Sequence, residues 1–194
     1  MNINQFDIIE NITLSRALFT AAELNIAEYL ETKPLALEEL AFLTQTTPST
    51  LKRLLYFLCL KNIFTHELDG TYSLPSHSQN LLQHHPASIK PFLLHDDESR
   101  WNCFGHLTYC IQSGKPAFDM LYGKDYFTSL KENPLLSKRF DEAINIISNQ
   151  EDAAIAQQLS CHGVVADIGG GNGQLINKLI TQTAVSSGIL FDLP

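Results

Sequence analysis

Six of the ten glycines in this 194-residue chain fall within its last 32 residues, at positions 163, 169, 170, 171, 173 and 188. No other feature constrains the fold as strongly. Val164 to Ile168 is an apolar run that reads as a buried parallel strand. Gly169-Gly170-Gly171-Asn172-Gly173 follows it without a break. Gln174 to Thr183 then carries Leu175, Ile176, Leu179 and Ile180 at helical spacing, and Ile189-Leu190-Phe191-Asp192 reads as a second strand ending in an acid. The sequence therefore predicts a β-α-β unit, the opening of a doubly wound fold.

The chemistry of that loop points to a nucleoside ligand. Glycine lets the chain turn sharply and lets a ligand touch the backbone. A helix starting there presents unpaired N–H groups and the positive end of its dipole. Asp192 lies 19 positions past Gly173, where a carboxylate can accept both hydrogen bonds of a ribose diol. The dinucleotide fingerprint needs a third glycine at 174, and this chain has Gln174 there. The observed pattern is D-x-G-x-G-x-G, built on Asp167, Gly169, Gly171 and Gly173. An acid at the end of the first strand sits poorly beside a pyrophosphate. It suits a cationic cofactor with an amino group and no phosphate, S-adenosylmethionine, ahead of a dinucleotide and of a glycine loop that merely turns tightly.

The rest of the chain is helical in pattern. Residues 7 to 31 read as one helix, with Ile8, Ile12, Ser15, Phe19, Ala22 and Ile26 on one face and Leu14, Leu18 and Ala21 beside it. So wide an apolar surface predicts burial on two sides, by a partner subunit or a second layer. A short helix is expected over 36 to 45, with Leu37, Leu40, Ala41 and Leu43 inward. Thr47 or Ser49 caps a second over 49 to 61. Asp69-Gly70 between Ile63-Phe64 and Tyr72-Ser73-Leu74 predicts a hairpin. Helix, turn, helix and hairpin make a winged-helix arrangement. Its familiar use is DNA binding, and charge opposes that use here. From Pro34 to Asn80 three basic residues (Lys52, Arg53, Lys61) face four acidic ones (Glu38, Glu39, Glu67, Asp69).

Residues 78 to 160 look helical throughout, interrupted at Pro86, Pro91, Gly114-Lys115-Pro116, Gly123 and Pro134. Leu135 to Leu159 is expected to form one long helix with Phe140, Ala143, Ile144, Ile147, Ala154 and Ile155 inward. Composition change places a domain boundary near Ser160 to Gly163, giving 1–160 and 161–194.

Several function classes are disfavoured. A formal charge of -8 argues against a general nucleic-acid binder and against a polybasic membrane-surface protein. No apolar run is long enough to span a bilayer, and Asp7 and Glu10 sit where a signal peptide is apolar, so a cytoplasmic location is expected. Cys59, Cys103, Cys110 and Cys161 form no CxxC pair and read as reduced, mostly buried thiols. His84 and His85 are adjacent and point apart, and His95 precedes an acidic turn, so no metal site is expected.

With these segments in view, the chain resembles the hydroxyindole- and caffeate-type small-molecule O-methyltransferases that use S-adenosylmethionine. The resemblance runs from about Ile12 to Pro194. It rests on Ala22-Glu23-Leu24-Asn25-Ile26, Leu37-Glu38-Glu39-Leu40-Ala41, Leu51-Lys52-Arg53-Leu54-Leu55 and Asp69-Gly70-Thr71-Tyr72-Ser73-Leu74. Ser113-Gly114-Lys115-Pro116-Ala117-Phe118, Asp167 to Gly173, and Phe191-Asp192-Leu193-Pro194 complete it. The resemblance implies a mainly α chain: a helical, winged-helix dimerisation domain, then the first β-α-β unit of a class I, Rossmann-like methyltransferase domain that looks truncated. It implies a homodimer acting on a small-molecule hydroxyl acceptor. Asp192 would bind the cofactor ribose. Gly169 and Gly171, with Asp167, Gly170 and Gly173, would back its methionine part, and Phe140 and Ser148 would line the pocket. Ile144 stands where the family often has Met, and Asp141 where it often has Asn.

The family's catalytic His lies downstream of the second strand, whereas all seven His here (66, 77, 84, 85, 95, 106, 162) precede the glycine loop. The catalytic residue is therefore unassigned and expected beyond residue 194. The chain alone is expected to be inactive, with 164–194 poorly stable alone because two strands and one helix leave sheet edges and a face open. Two other readings remain at this point: a non-catalytic dimerisation module and a winged-helix regulator.

Overall fold

A computed structural model describes residues 5–192 of the chain. The expectation for the Ile147 side chain, and the Leu193-Pro194 part of the last motif, lie outside what is described. The chain divides into two compact units between Arg139 and Phe140.

The first unit opens with α1 (Gln5–Glu23) and α2 (Ile26–Tyr29). The single helix predicted over 7–31 is thus broken in two. The break is at Asn25, whose φ of 54 is left-handed, a conformation Asn tolerates better than most residues. It is pinned from far along the chain. Buried Lys90 donates from Nζ to Asn25 Oδ1 at 2.6 Å and to Glu28 Oε1 at 2.6 Å. The buried stripe of α1 also differs from the expected one. Ala17 and Ala21 are buried and Leu14 and Leu18 pack against the core, while Ile8 and Ile12 are exposed at 49% and 54%. Within one chain, only the Ala22 and Ile26 end of the predicted face is fully covered.

Next come α3 (Leu37–Leu43), α4 (Pro48–Leu60) and the hairpin β1 (Thr65–His66) with β2 (Tyr72–Ser73). Pro48 fills the first turn of α4, where a missing N–H costs nothing, and Thr47 is its N-cap residue. Leu51, Leu55 and Leu58 repeat at helical spacing and are buried. At the hairpin, Gly70 N–H donates to Glu67 O at 3.0 Å, and Asp69 Oδ1 accepts from the Thr71 N–H at 3.0 Å. Leu35 adds an antiparallel bridge to Tyr72. Ile26, Leu40, Leu55 and Leu58 are the largest fully buried side chains, each stabilising the unit by about 1.5–3 kcal/mol through burial.

The remainder of this unit is a 3-10 turn (Ser76–Leu81) and α5 (Lys90–His95), α6 (Glu98–Gly105), α7 (Leu107–Ser113), α8 (Ala117–Tyr122) and α9 (Tyr126–Glu132), leading into α10 (Pro134–Gln158). Residues 82–89 are not helical, against the expectation of helix throughout. Pro91 and Pro134 sit in first turns and open helices where they were expected to break them. His84 pairs with Glu31 at 3.2 Å, whereas His95 is buried, and burial pushes its pKa down. Among the described residues no cluster of His, Cys, Asp or Glu could hold a metal ion. The four cysteines are free and half-buried, less covered than expected.

The face of α10 departs from the predicted stripe. Leu136, Ala143, Asp152 and Ala156 are buried, Phe140 is half-buried, Ala154 is exposed, and Ile144 and Ile155 are each 38% exposed. A helix that supplies residues to two units has no single buried face along its length.

In the second unit β3 (His162–Ile168) and β4 (Ala184–Phe191) pair in parallel, joined by α11 (Gln174–Gln182). Asp167 lies opposite Leu190 and Ile168 opposite Phe191. Strand β4 begins five positions before the predicted Ile189. Gly188 sits in that added stretch, where a Cβ would meet Ile176 Cδ1 at 2.5 Å, so helix and strand approach closely. Ala156 of α10 shares a small core with Leu179 and Val185. The units therefore divide well ahead of the compositional boundary at 160–163. The strands are not buried on both faces as predicted: Ile168 is 79% and Phe191 66% exposed. Helix α11 covers one face of the pair, and Ile168, Ile189 and Phe191 remain open to solvent.

Candidate functional site

The loop between β3 and α11 is built by local necessity. At Gly170 a Cβ would meet Asp167 Oδ2 at 2.5 Å and Leu190 Cδ1 at 2.7 Å. A side chain there would have to displace the Asp167 carboxylate and the tip of Leu190. Gly173 combines a φ of 79 with a Cβ position 3.1 Å from Leu190, and it is the N-cap residue of α11. Its N–H donates to Gly170 O at 2.9 Å, which closes the turn. The first N–H groups of α11 consequently face the loop.

The acid predicted at the end of the second strand meets this loop. The N–H of Gly171 donates to Asp192 Oδ2 at 2.6 Å, and that of Gly169 donates to Phe191 O at 2.8 Å. The structure thus gathers Asp167, Gly169, Gly170, Gly171, Gly173 and Asp192 at the C-terminal ends of two parallel strands. Ligands of open α/β sheets bind at such strand ends. Phe140 and Ser148 lie on α10 and are both half-buried. Asn145, also on α10, meets the loop directly: its Oδ1 accepts from Asn172 Nδ2 at 2.8 Å.

The polar groups at the strand ends can be matched one by one to those of S-adenosylmethionine. Asp167 Oδ2 and Gln174 Oε1 are buried acceptors without a hydrogen-bond partner. Buried acceptors of this kind call for a donor, and the cofactor's ammonium is one. Its carboxylate matches the N-terminus of α11, and its ribose diol matches the carboxylate of Asp192. A pyrophosphate would lie against Asp167 and be repelled. The residues present therefore fit S-adenosylmethionine.

Sequence reasoning uses Gln174 only as a departure from the dinucleotide fingerprint and does not reach the Asn145–Asn172 pair. Asn172 was visible as the one residue with a side chain between Gly169 and Gly173. Asn145 carried no local signal, because a polar residue in mid-helix is ordinary.

Residues 6–84 match the O-methyltransferase dimerisation domain, and residues 104–194 match the O-methyltransferase domain. The chain is 29% identical to phenazine O-methyltransferase PhzM of Lysobacter antibioticus, over 96% of this chain and 55% of that protein. It is 28% identical to O-demethylpuromycin-O-methyltransferase of Streptomyces alboniger, over 93% of this chain and 49% of that protein. The chain spans about half the length of the curated relatives it matches. Among solved structures, the mitomycin 7-O-methyltransferase aligns with a TM-score of 0.88 at 26% identity, covering 97% of this chain and 57% of that one. A neocarzinostatin-biosynthesis O-methyltransferase, solved with S-adenosylmethionine and 2-hydroxy-5-methyl naphthoic acid, aligns with a TM-score of 0.78 at 27% identity, covering 93% and 57%. A dimerisation segment followed by a methyltransferase segment, in a mostly helical chain with this loop at its strand ends, places the protein in the S-adenosylmethionine-dependent small-molecule O-methyltransferase family.

Proposed function

We propose that this chain binds S-adenosylmethionine at the tips of β3 and β4 and serves methyl transfer to a hydroxyl group of a small aromatic or other secondary metabolite. The observation that carries the reading is the 2.6 Å hydrogen bond from the Gly171 N–H to Asp192 Oδ2. It joins the glycine loop and the ribose acid into one site.

When bound, the cofactor supplies a methyl group already activated on a sulfonium, so the protein's main task is alignment. Asp192 holds the ribose diol. Asp167 accepts from the ammonium, and the first turn of α11 receives the carboxylate. Gly169, Gly170, Gly171 and Gly173 let the backbone lie against the methionine part. Phe140 and Ser148 of α10 line the same pocket. The acceptor class follows the relatives, among them enzymes named for a dihydroxy-naphthoate and an amino-hydroxybenzoate.

The same reading makes the first unit a homodimerisation domain. We read α3, α4 and the hairpin as a winged helix used for packing. Its α4 buries leucines, and Phe42 of α3, Tyr56 and Leu60 of α4, and Ile8, Ile9 and Ile12 of α1 stand exposed. Large apolar side chains left open on these helices are candidates for burial against a second copy of the chain.

Titration calorimetry with S-adenosylmethionine tests the proposal. Saturable binding is expected, and Asp192→Ala should abolish it while Trp101 fluorescence, which reports the first unit, stays unchanged. Equal binding by Asp192→Ala would refute the assigned ribose site.

A further inference from the structure

Two adjacent loop residues are tied to two different elements. Gly171 is held by Asp192 at the end of β4, and Asn172 by Asn145 in α10. We propose that Asn145 is a positioning residue of the cofactor site: it fixes the outer turn of the glycine loop through Asn172 and thereby sets the affinity for S-adenosylmethionine. The inference rests on the cofactor reading above.

The loop has one handle. Between Gly169 and Gly173 every residue except Asn172 is glycine, so only Asn172 offers a side chain by which another element can hold the segment. A run of glycines also loses more freedom on ordering than any other sequence. A tether that orders it before the ligand arrives removes part of that loss from the binding step.

The tether has a firm base. Asn145 is half-buried, two positions past Ala143, which is fully buried. Farther along α10, Ala156 packs with Leu179 and Val185 of the β-α-β unit. The helix therefore cannot drift freely relative to the loop it holds. The bond runs from the Asn172 amide N–H to the Asn145 carbonyl oxygen, so an aspartate at 145 keeps the acceptor while alanine removes it.

A double-mutant cycle separates positioning from direct contact with the cofactor. Asn145→Ala and Asn172→Ala should each weaken S-adenosylmethionine binding about three- to tenfold, the worth of one neutral hydrogen bond. The double variant should be no weaker than either single one. Unchanged affinity in the single variants, or losses that multiply in the double, would overturn the inference; multiplied losses would mean that Asn145 touches the cofactor itself.

Hydrogen exchange supplies a readout that needs no ligand. Gly171 and Gly173 amides should exchange faster in Asn145→Ala and regain protection in Asn145→Asp. Unchanged exchange overturns the positioning role even if the wild-type chain binds no cofactor, an outcome that would by itself refute only the cofactor reading. Should Asn145→Ala disturb α10, seen as lost helical circular dichroism, Asn172→Ala on the exposed loop gives the same test.

Discussion

The two units place their apolar residues in opposite ways. The first encloses Ile26, Leu40, Leu55 and Leu58 completely, among side chains drawn from α1 to the segment after the hairpin. Among the described residues the second gathers Ala156, Leu179 and Val185 into a small core, and leaves Ile168, Ile189 and Phe191 open on the other side of its sheet. One unit is organised around a core and the other around a loop. In the first, stability comes from hydrophobic burial. In the second, order at the strand ends comes from a few directed hydrogen bonds on a glycine run.

Three perturbations sharpen that contrast. Leu55→Ala should have the largest effect, lowering the stability of the first unit by about 2–5 kcal/mol through lost burial and a cavity. Urea unfolding followed by Trp101, the sole tryptophan, reads this directly. A loss below about 1 kcal/mol would mean that the core is not closed there.

Gly188→Ala should cost the second unit about 1–3 kcal/mol by overpacking, because the new Cβ would meet Ile176, itself buried, at 2.5 Å. Hydrogen exchange across β3 and β4 should accelerate while the Trp101 transition stays in place. A matching shift in both would show the units to be one cooperative block.

The smallest effect is conditional on pH. Burial, reinforced by the Arg100 charge, lowers the pKa of His95, against the opposing pull of Asp96 and Asp97. As pH falls below about 6.5 the unfolded chain takes up this proton first. The stability of the first unit is therefore full above that pH and declines as pH drops toward the lowered folded value. Between about pH 7.5 and about pH 5.5 the midpoint of the wild type should fall further than that of His95→Gln. Equal falls would remove His95 from the account.

What the sequence made legible was what local chemistry alone decides. Asp69-Gly70 marked the hairpin because its geometry needs a glycine at positive φ, observed at 86. The glycine loop and Asp192 were legible for the same reason: the turn, the helix start and the acid at the strand end lie within one short stretch. The break at Asn25 was not, since Lys90, 65 residues away, holds it. Nor was the early start of β4, where Ser186-Ser187-Gly188 carries no strand pattern and the pairing is set by β3. The buried stripes of α1 and α10 were misjudged because periodicity locates apolar faces without saying which neighbour covers each one. The Asn145–Asn172 contact joins polar residues 27 positions apart, and neither periodicity nor motif reports such a pair.

The central claim is that the loop and Asp192 form a site for a cationic nucleoside cofactor without phosphates. Paired titrations of one preparation with S-adenosylmethionine and with NAD test it most directly. The account predicts saturable binding of S-adenosylmethionine and none of NAD, since Asp167 repels a pyrophosphate at the strand end and Gln174 replaces the third glycine of the dinucleotide fingerprint. Binding of NAD in preference to S-adenosylmethionine, or of neither by a folded chain, would contradict it.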